Sequence, residues 1–229
     1  MFEMQGLRAE NTQGWMAAIG VISILDRMGM DVQIAWNNTC PTIHGADENQ
    51  VIGALEEYLK QGSDILDRLP KGINGDKTAL DLTAGRVSLT GVIESMINTV
   101  NRVNIVEALT QVWKNQDNIT TLGWDSVSVK FAASVGGNKA PDSSPHRGVL
   151  AGQWLAAESL PITGVGPRTR KYKWVTWSVP LDLGGVRAVV QSTSTDWGGT
   201  LYIANVGRNG KMGYLEPALT MSNHNTSGG

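Results

Sequence analysis

One cysteine, two phenylalanines and a charged fraction of 17% are what this 229-residue chain has little of. The single thiol, Cys40, excludes an intramolecular disulfide framework, and such sparing use of cysteine fits a reducing cytosol. No apolar run is long: MAAIGVISIL at 16–25 is about half of the roughly 20 residues that a membrane helix needs. The stretch MFEMQGLRAENTQGW lacks the basic-then-apolar order of a signal peptide. The expectation is a soluble, cytoplasmic protein with no membrane partner.

Signatures of catalysis are missing as well. The three histidines, His44, His146 and His224, stand in no metal-ligand spacing. There is no G-x-S-x-G and no P-loop. Cys40 is followed by Pro41 and reads as a small hydrophobe rather than a nucleophile. Glu56 and Glu57 read as the solvated face of a helix. Asp81 and Asp125 can each cap or turn the backbone through side-chain hydrogen bonds, although a buried carboxylate pair stays open. The reading is of a non-enzyme, with no catalytic residue, metal or cofactor; the alternative is an enzyme of unrecognised type with Asp81, Asp125 or His146 in a cleft.

What is present is tryptophan: eight, against two phenylalanines. An indole is large and its N–H seeks a partner, so several of the eight are expected half-buried at surfaces or interfaces. With a hydrophobic fraction of 41%, the chain is long and apolar enough to bury a core. The pattern predicts one compact domain over 1–229, with possible lobes at 1–117 (mostly helical) and 118–229 (mixed and strand-rich).

The fold class is α+β, with a helical N-terminal half and a mixed, strand-rich C-terminal half. Apolar residues near a 3.6-residue period predict a helix over 11–28 behind Asn11 or Thr12, with Gly20 permitting close packing. A strand follows at 31–36. A second helix spans 47–60, capped by Asp47 and stopped at Gly62. A helical turn ending at Pro70, a glycine-rich connection over 71–86, and helices at 88–100 and 104–115 complete this half. Ile105, Val106, Leu109, Val112 and Trp113 line one side of the last helix. Beyond it, 124–133 alternates like a strand, 134–148 reads as an exposed loop and 148–160 as a helix. A strand is predicted at 171–179, a helix at 182–192 capped by Asp182, and a hairpin turning at Asn209-Gly210.

The charge is not spread evenly. In GPRTRKYKWVTW, at 166–177, Arg168, Arg170, Lys171 and Lys173 fall within six residues, in a chain of formal net charge −2. Arg168, Arg170 and Lys171 read as a phosphate-facing loop, with Lys173 beyond. Lys139 and Arg147 are candidates to extend the patch. Trp174 and Trp177 can stack on a base, but read better as framework. The bland alternative is a strand edge kept soluble and unpaired by its cations.

Five segments in order resemble one family: GLRAENTQGWMAAIGVISILDRMG at 6–29, LGWDSVSVKFA at 122–132, RGVLAGQWLAAESLPI at 147–162, WVTWSVPLDLGGVRAVV at 174–190 and GRNGKMGYLEPAL at 207–219. They are similar to the large-subunit-like Cascade proteins of type I-G (formerly I-U) CRISPR loci. Those carry a G-L-x-x-x-N-P-x-G-W/F-L-A-A-L-G helix, a G-W-D-P segment, L-A-x-E-A-L-P-L-F-P and a Trp-Pro stretch before L-x-x-V-R. The chain departs from this pattern at Thr12, at Ser126 and in the LPI ending at 160–162. The resemblance implies a non-catalytic subunit that packs on other CRISPR effector subunits and their guide RNA. It also implies contact with target DNA near the flanking motif, while base pairing reads the sequence. Cleavage would fall to a separately recruited helicase-nuclease.

Overall fold

A computed structural model describes residues 1–71, 78–128, 147–209 and 211–221. The architecture is α+β, with helices mainly in the first half and strands mainly in the second. Helix α1 (Thr12–Arg27) is its axis. Asn11 caps it by accepting from the Gln13 N–H at 3.0 Å. Every residue from Thr12 to Leu25 is buried, so α1 is not the one-sided amphipathic helix that its apolar period suggested. Each fully buried Ile or Leu on it contributes roughly 1.5–3 kcal/mol.

Sheet one is β1 (Phe2–Glu3), β3 (Cys40–His44) and β2 (Gln33–Asn37), antiparallel, with β3 central. Helix α2 (Glu48–Gln61) starts with a capping box between Asp47 and Gln50 and ends at Gly62, whose φ is +88°. A short α3 (Ile65–Arg68) follows. Then come α4 (Leu89–Ile97), capped by Ser88, and α5 (Arg102–Thr110), capped by Asn101.

In the second half, β4 (Asp117–Asn118) pairs with β5 (Arg147–Gly148). Helix α6 (Leu150–Glu158) lies against α1, crossing so closely that a Cβ on Gly20 would overlap the Leu155 carbonyl oxygen. Helix α7 (Leu160–Thr163), strand β6 (Lys171–Val175) and helix α8 (Leu183–Ser192) follow. Asp182 caps α8 by accepting from Gly185 N–H at 2.7 Å. Strand β7 (Leu201–Asn209) pairs with β6, with β8 (Met212–Leu215) and with β9 (Leu219–Met221). One contiguous apolar core draws on both halves.

Four expectations need correction. Residues 126–128 form a helical turn, not the start of a strand. Asp125 causes this, accepting from the Val127 N–H at 2.9 Å and, through its carbonyl, from the Ser128 hydroxyl. Helix α5 starts two residues earlier than expected and ends at Thr110, because Gln111 turns extended (φ −116°, ψ 148°); Val112 is therefore exposed. The strand expected at 31–36 does not stand alone: it is β2 of the β1–β3–β2 sheet, whose central strand contains Pro41. Finally, the tryptophans are mostly internal. Trp15, Trp36, Trp124, Trp154, Trp174 and Trp177 are buried in the chain's own core; only Trp197 is largely exposed. Their number is no sign of partners.

Candidate nucleic-acid interface

The alternation Lys-Tyr-Lys-Trp makes β6 a strand, and the two-residue period sorts its side chains by face. Tyr172 and Trp174 point inward. Trp174 stacks on Tyr202 at 5.6 Å and on Tyr172 at 6.1 Å, with Trp15 at 6.2 Å. Its indole N–H donates to the Ala9 carbonyl at 2.8 Å. The Tyr172 hydroxyl donates to the Thr163 carbonyl at 2.8 Å, and burial pushes its pKa up. Beyond the strand, Trp177 donates to the Ile34 carbonyl at 2.8 Å and meets Trp36 edge-on. Both indoles of the basic stretch are framework.

Lys171 and Lys173 therefore share the opposite face, opposite Asn205 and Ile203 of β7. Arg168 and Arg170 lie on the segment entering the strand. The Arg170 carbonyl accepts from Val206 N–H at 2.9 Å, and the Thr169 hydroxyl donates to the Lys171 carbonyl. Lys171 thus belongs to the strand and not to the loop. All four cations are exposed, and among the described residues none forms an ion pair. The carboxylate tied to this side of the sheet is Glu216, held by Asn205 at 3.1 Å. β6 is also an edge of its sheet, which is where the solubility argument would place lysines.

Lys139 lies outside the described residues. Arg147 sits on β5, in the separate two-stranded sheet, and its guanidinium donates to the Gln116 carbonyl at 2.8 Å. No strand pairing brings it to β6.

The carboxylates weighed as catalytic have local duties. Asp81 accepts from Thr83 N–H and hydroxyl at 3.1 and 2.6 Å. Asp125 accepts from the Asn11 amide at 2.8 Å; burial raises its pKa, and its Oδ2 has no partner. Cys40 is half-buried in β3 and accepts from the Arg8 guanidinium at 2.9 Å. His146 and His224 fall outside the described residues. Among those described, no three His, Cys, Asp or Glu side chains group as metal ligands.

The densest polar cluster was missed by sequence reasoning, since Tyr58, Ser63, Asp64, Arg68 and Glu158 carry no common motif. Buried Glu158 accepts from Ser63 at 2.5 Å, Arg68 at 2.9 Å and Tyr58 at 3.1 Å. Burial raises its pKa, outweighing those three donors. Burial, helped by the Glu158 charge, pushes Tyr58 up to about 12. For Asp64 burial is opposed by Tyr58, Arg68 and Arg27, which hold its carboxyl below the usual range. With every oxygen of Glu158 engaged, this cluster braces α2 and α3 onto α6.

A scan against protein-family models, a search of curated proteins and a search of solved structures each return no match for this chain.

Proposed function

We propose that this chain is a non-catalytic subunit of a Cascade-type, RNA-guided antiviral complex. In this reading it works in the cytoplasm beside other CRISPR effector subunits and a guide RNA, while a separately recruited helicase-nuclease cuts. The edge formed by Arg168, Arg170, Lys171 and Lys173 contacts target-DNA phosphates near the flanking motif and helps hold the duplex open. The observation that carries the proposal is this set of four exposed cations, without ion partners among the described residues, on and beside a strand whose other face is locked in the core. Rigid placement favours phosphate contact because little ordering remains to be done on binding.

The five family-like segments support the same reading in a different way. Four of them supply α1, α6, the buried end of β6, α8 and the β7–β8 hairpin, which pack on one another. The likeness is therefore one of scaffold. The cations at 168–173 lie outside those segments, and the proposal gives them the ligand contact.

A second reading is a structural subunit whose cations meet the guide RNA or an acidic neighbour. Its supporting observation is the apolar edge across the same sheet, where Leu219 and Met221 are exposed. One experiment separates the two. The variant with Ala at 168, 170, 171 and 173 should still co-purify with guide RNA and the RNA-binding backbone subunits, yet lose target-DNA affinity and salt dependence. Failure to co-purify favours the second reading. Normal assembly with unchanged target affinity removes the stretch from function.

A further inference from the structure

Tyr214 of β8 faces the same way as Lys171 and Lys173. It pairs with Gly207 of β7; Asn205, two residues before Gly207, pairs with Lys171. Paired residues of an antiparallel ladder share a face, and so do residues two apart on one strand. Tyr214, Gly207, Asn205, Lys171 and Lys173 therefore lie together on the outer face of the sheet. The rings of Tyr172, Trp174 and Tyr202 occupy the other.

Gly207 shows how the Tyr214 ring lies. A Cβ on Gly207 would fall 2.5 Å from Cζ of Tyr214 and 2.8 Å from both Cε2 and the hydroxyl oxygen. Both of those atoms are bonded to Cζ, and a point off the ring's edge between them would be nearer to them than to Cζ. The point is instead above the flat of the ring. One π-face of Tyr214 thus rests on the Gly207 backbone, and the other turns away from the sheet. Tyr214 is half-buried, and among the described residues no other ring stacks on it.

The charges around this ring are mostly of one sign. Lys171 and Lys173 are exposed on the same face, and Arg168 and Arg170 are exposed on the segment entering it. One carboxylate stands among them: Glu216, two residues beyond Tyr214, accepts from the Asn205 amide at 3.1 Å. Four cations against one carboxylate favour an anion. An acidic peptide would satisfy the cations and leave the ring bare. A single-stranded nucleic acid satisfies both, since every base offers a π-face beside a phosphate. In a duplex those faces are hidden in the stack.

We infer that this face binds single-stranded nucleic acid, DNA or RNA, with one base stacked on Tyr214 and the adjoining phosphates on Lys171 and Lys173. The inference rests on the nucleic-acid reading for its cations. It adds the strandedness of the ligand and the residue that holds a base.

The test is fluorescence anisotropy of the full chain with short dye-labelled oligomers of equal length. They are deoxyadenylate, riboadenylate, a deoxyribose-phosphate chain without bases, and a duplex, with oligo-aspartate as counter-probe. The expected result is salt-dependent binding of the adenylates, tighter than that of the baseless chain or the duplex. A preference for deoxyadenylate identifies a DNA strand as the ligand, and one for riboadenylate an RNA. Tyr214→Leu should weaken adenylate binding about fivefold or more at an unchanged salt slope and leave the baseless chain unaffected. Tyr214→Phe, which keeps the ring, should bind as wild type. Equal affinity of the wild type for adenylate and the baseless chain overturns the stacked base, and this comparison needs no variant. So does adenylate binding unchanged in Tyr214→Leu, or tighter binding of the duplex; each leaves the phosphate contacts of the cations standing. Binding of oligo-aspartate alone, or of no polyanion, removes those contacts as well.

Discussion

Gly20 of α1 lies directly against the backbone carbonyl of Leu155 on α6, with no room for a methyl group between them. The two helices can cross this closely only because residue 20 has no side chain. What reads in sequence as a weak point of a helix is the contact that lets α1 sit at the centre of the molecule.

Gly20→Ala should therefore destabilise the protein by about 1–3 kcal/mol or more, since the obstructing atom is backbone and cannot rotate away. Gly53→Ala on α2, where a new Cβ meets nothing within 4 Å, should stabilise by about 0.5–1 kcal/mol. Urea midpoints of the two variants should move in opposite directions.

Binding and stability should separate along β6. Trp174→Phe leaves the Ala9 carbonyl without its 2.8 Å donor, a loss of about 1–3 kcal/mol for a buried group. It should leave the salt dependence of DNA binding unchanged. The four-alanine variant at 168, 170, 171 and 173 should do the reverse, because exposed substitutions usually change stability by less than about 0.5 kcal/mol. A weaker DNA affinity in Trp174→Phe at an unchanged salt slope, with the fold intact, would place the indole against the ligand.

Arg68→Met should strip the buried Glu158 of its cation and cost about 3–5 kcal/mol, the range for breaking one side of a buried pair. Glu158→Gln tests the same brace by pH. Burial raises the folded-state pKa of Glu158 above its ordinary 4.5, so the folded state holds the proton more tightly than the unfolded chain. The stability linked to that proton is fully present below pH 4.5 and is lost as pH rises through the folded-state value. Wild type minus Glu158→Gln should show this fall, as measured by denaturation from pH 4 to 8; a difference that rises with pH would refute it.

Asn11 both caps α1 and donates to Asp125. Asn11→Asp keeps a good cap but sets two carboxylates where a 2.8 Å hydrogen bond stood. One of the pair should hold a proton well above the usual carboxylate range. The variant should be near wild type at acid pH and lose stability as pH rises through that value, in thermal melts across pH 4 to 7.

The readable parts of the fold are those whose causes are local. Helices α1, α2 and α8 announce themselves through caps at Asn11, Asp47 and Asp182 and through apolar periods, and β6 through strict alternation. Strand β3 is hidden by Pro41, which lacks the N–H that a central strand normally uses. Several of the eight tryptophans were expected half-buried, yet Trp36 meets Trp177 ring to edge in the core, because burial is settled by what folds over them. The candidate interface was legible as a run of charge, but the start of the strand was not: the pairing of Lys171 with Asn205 puts Lys171 on β6, and the two-residue period then sets it on one face with Lys173. The Glu158 brace is assembled from segments far apart in sequence, and no spacing rule reaches that far.

That shared face has a metric consequence. Two residues along a strand advance roughly 6.8 Å, twice the roughly 3.4 Å axial rise per nucleotide of one DNA strand. The Lys171 and Lys173 stems therefore leave one face of β6 about that far apart, and each ammonium group can take a phosphate of its own. Replacing both lysines by glutamine should then flatten the salt slope by about 1.8, or 0.9 for each contact.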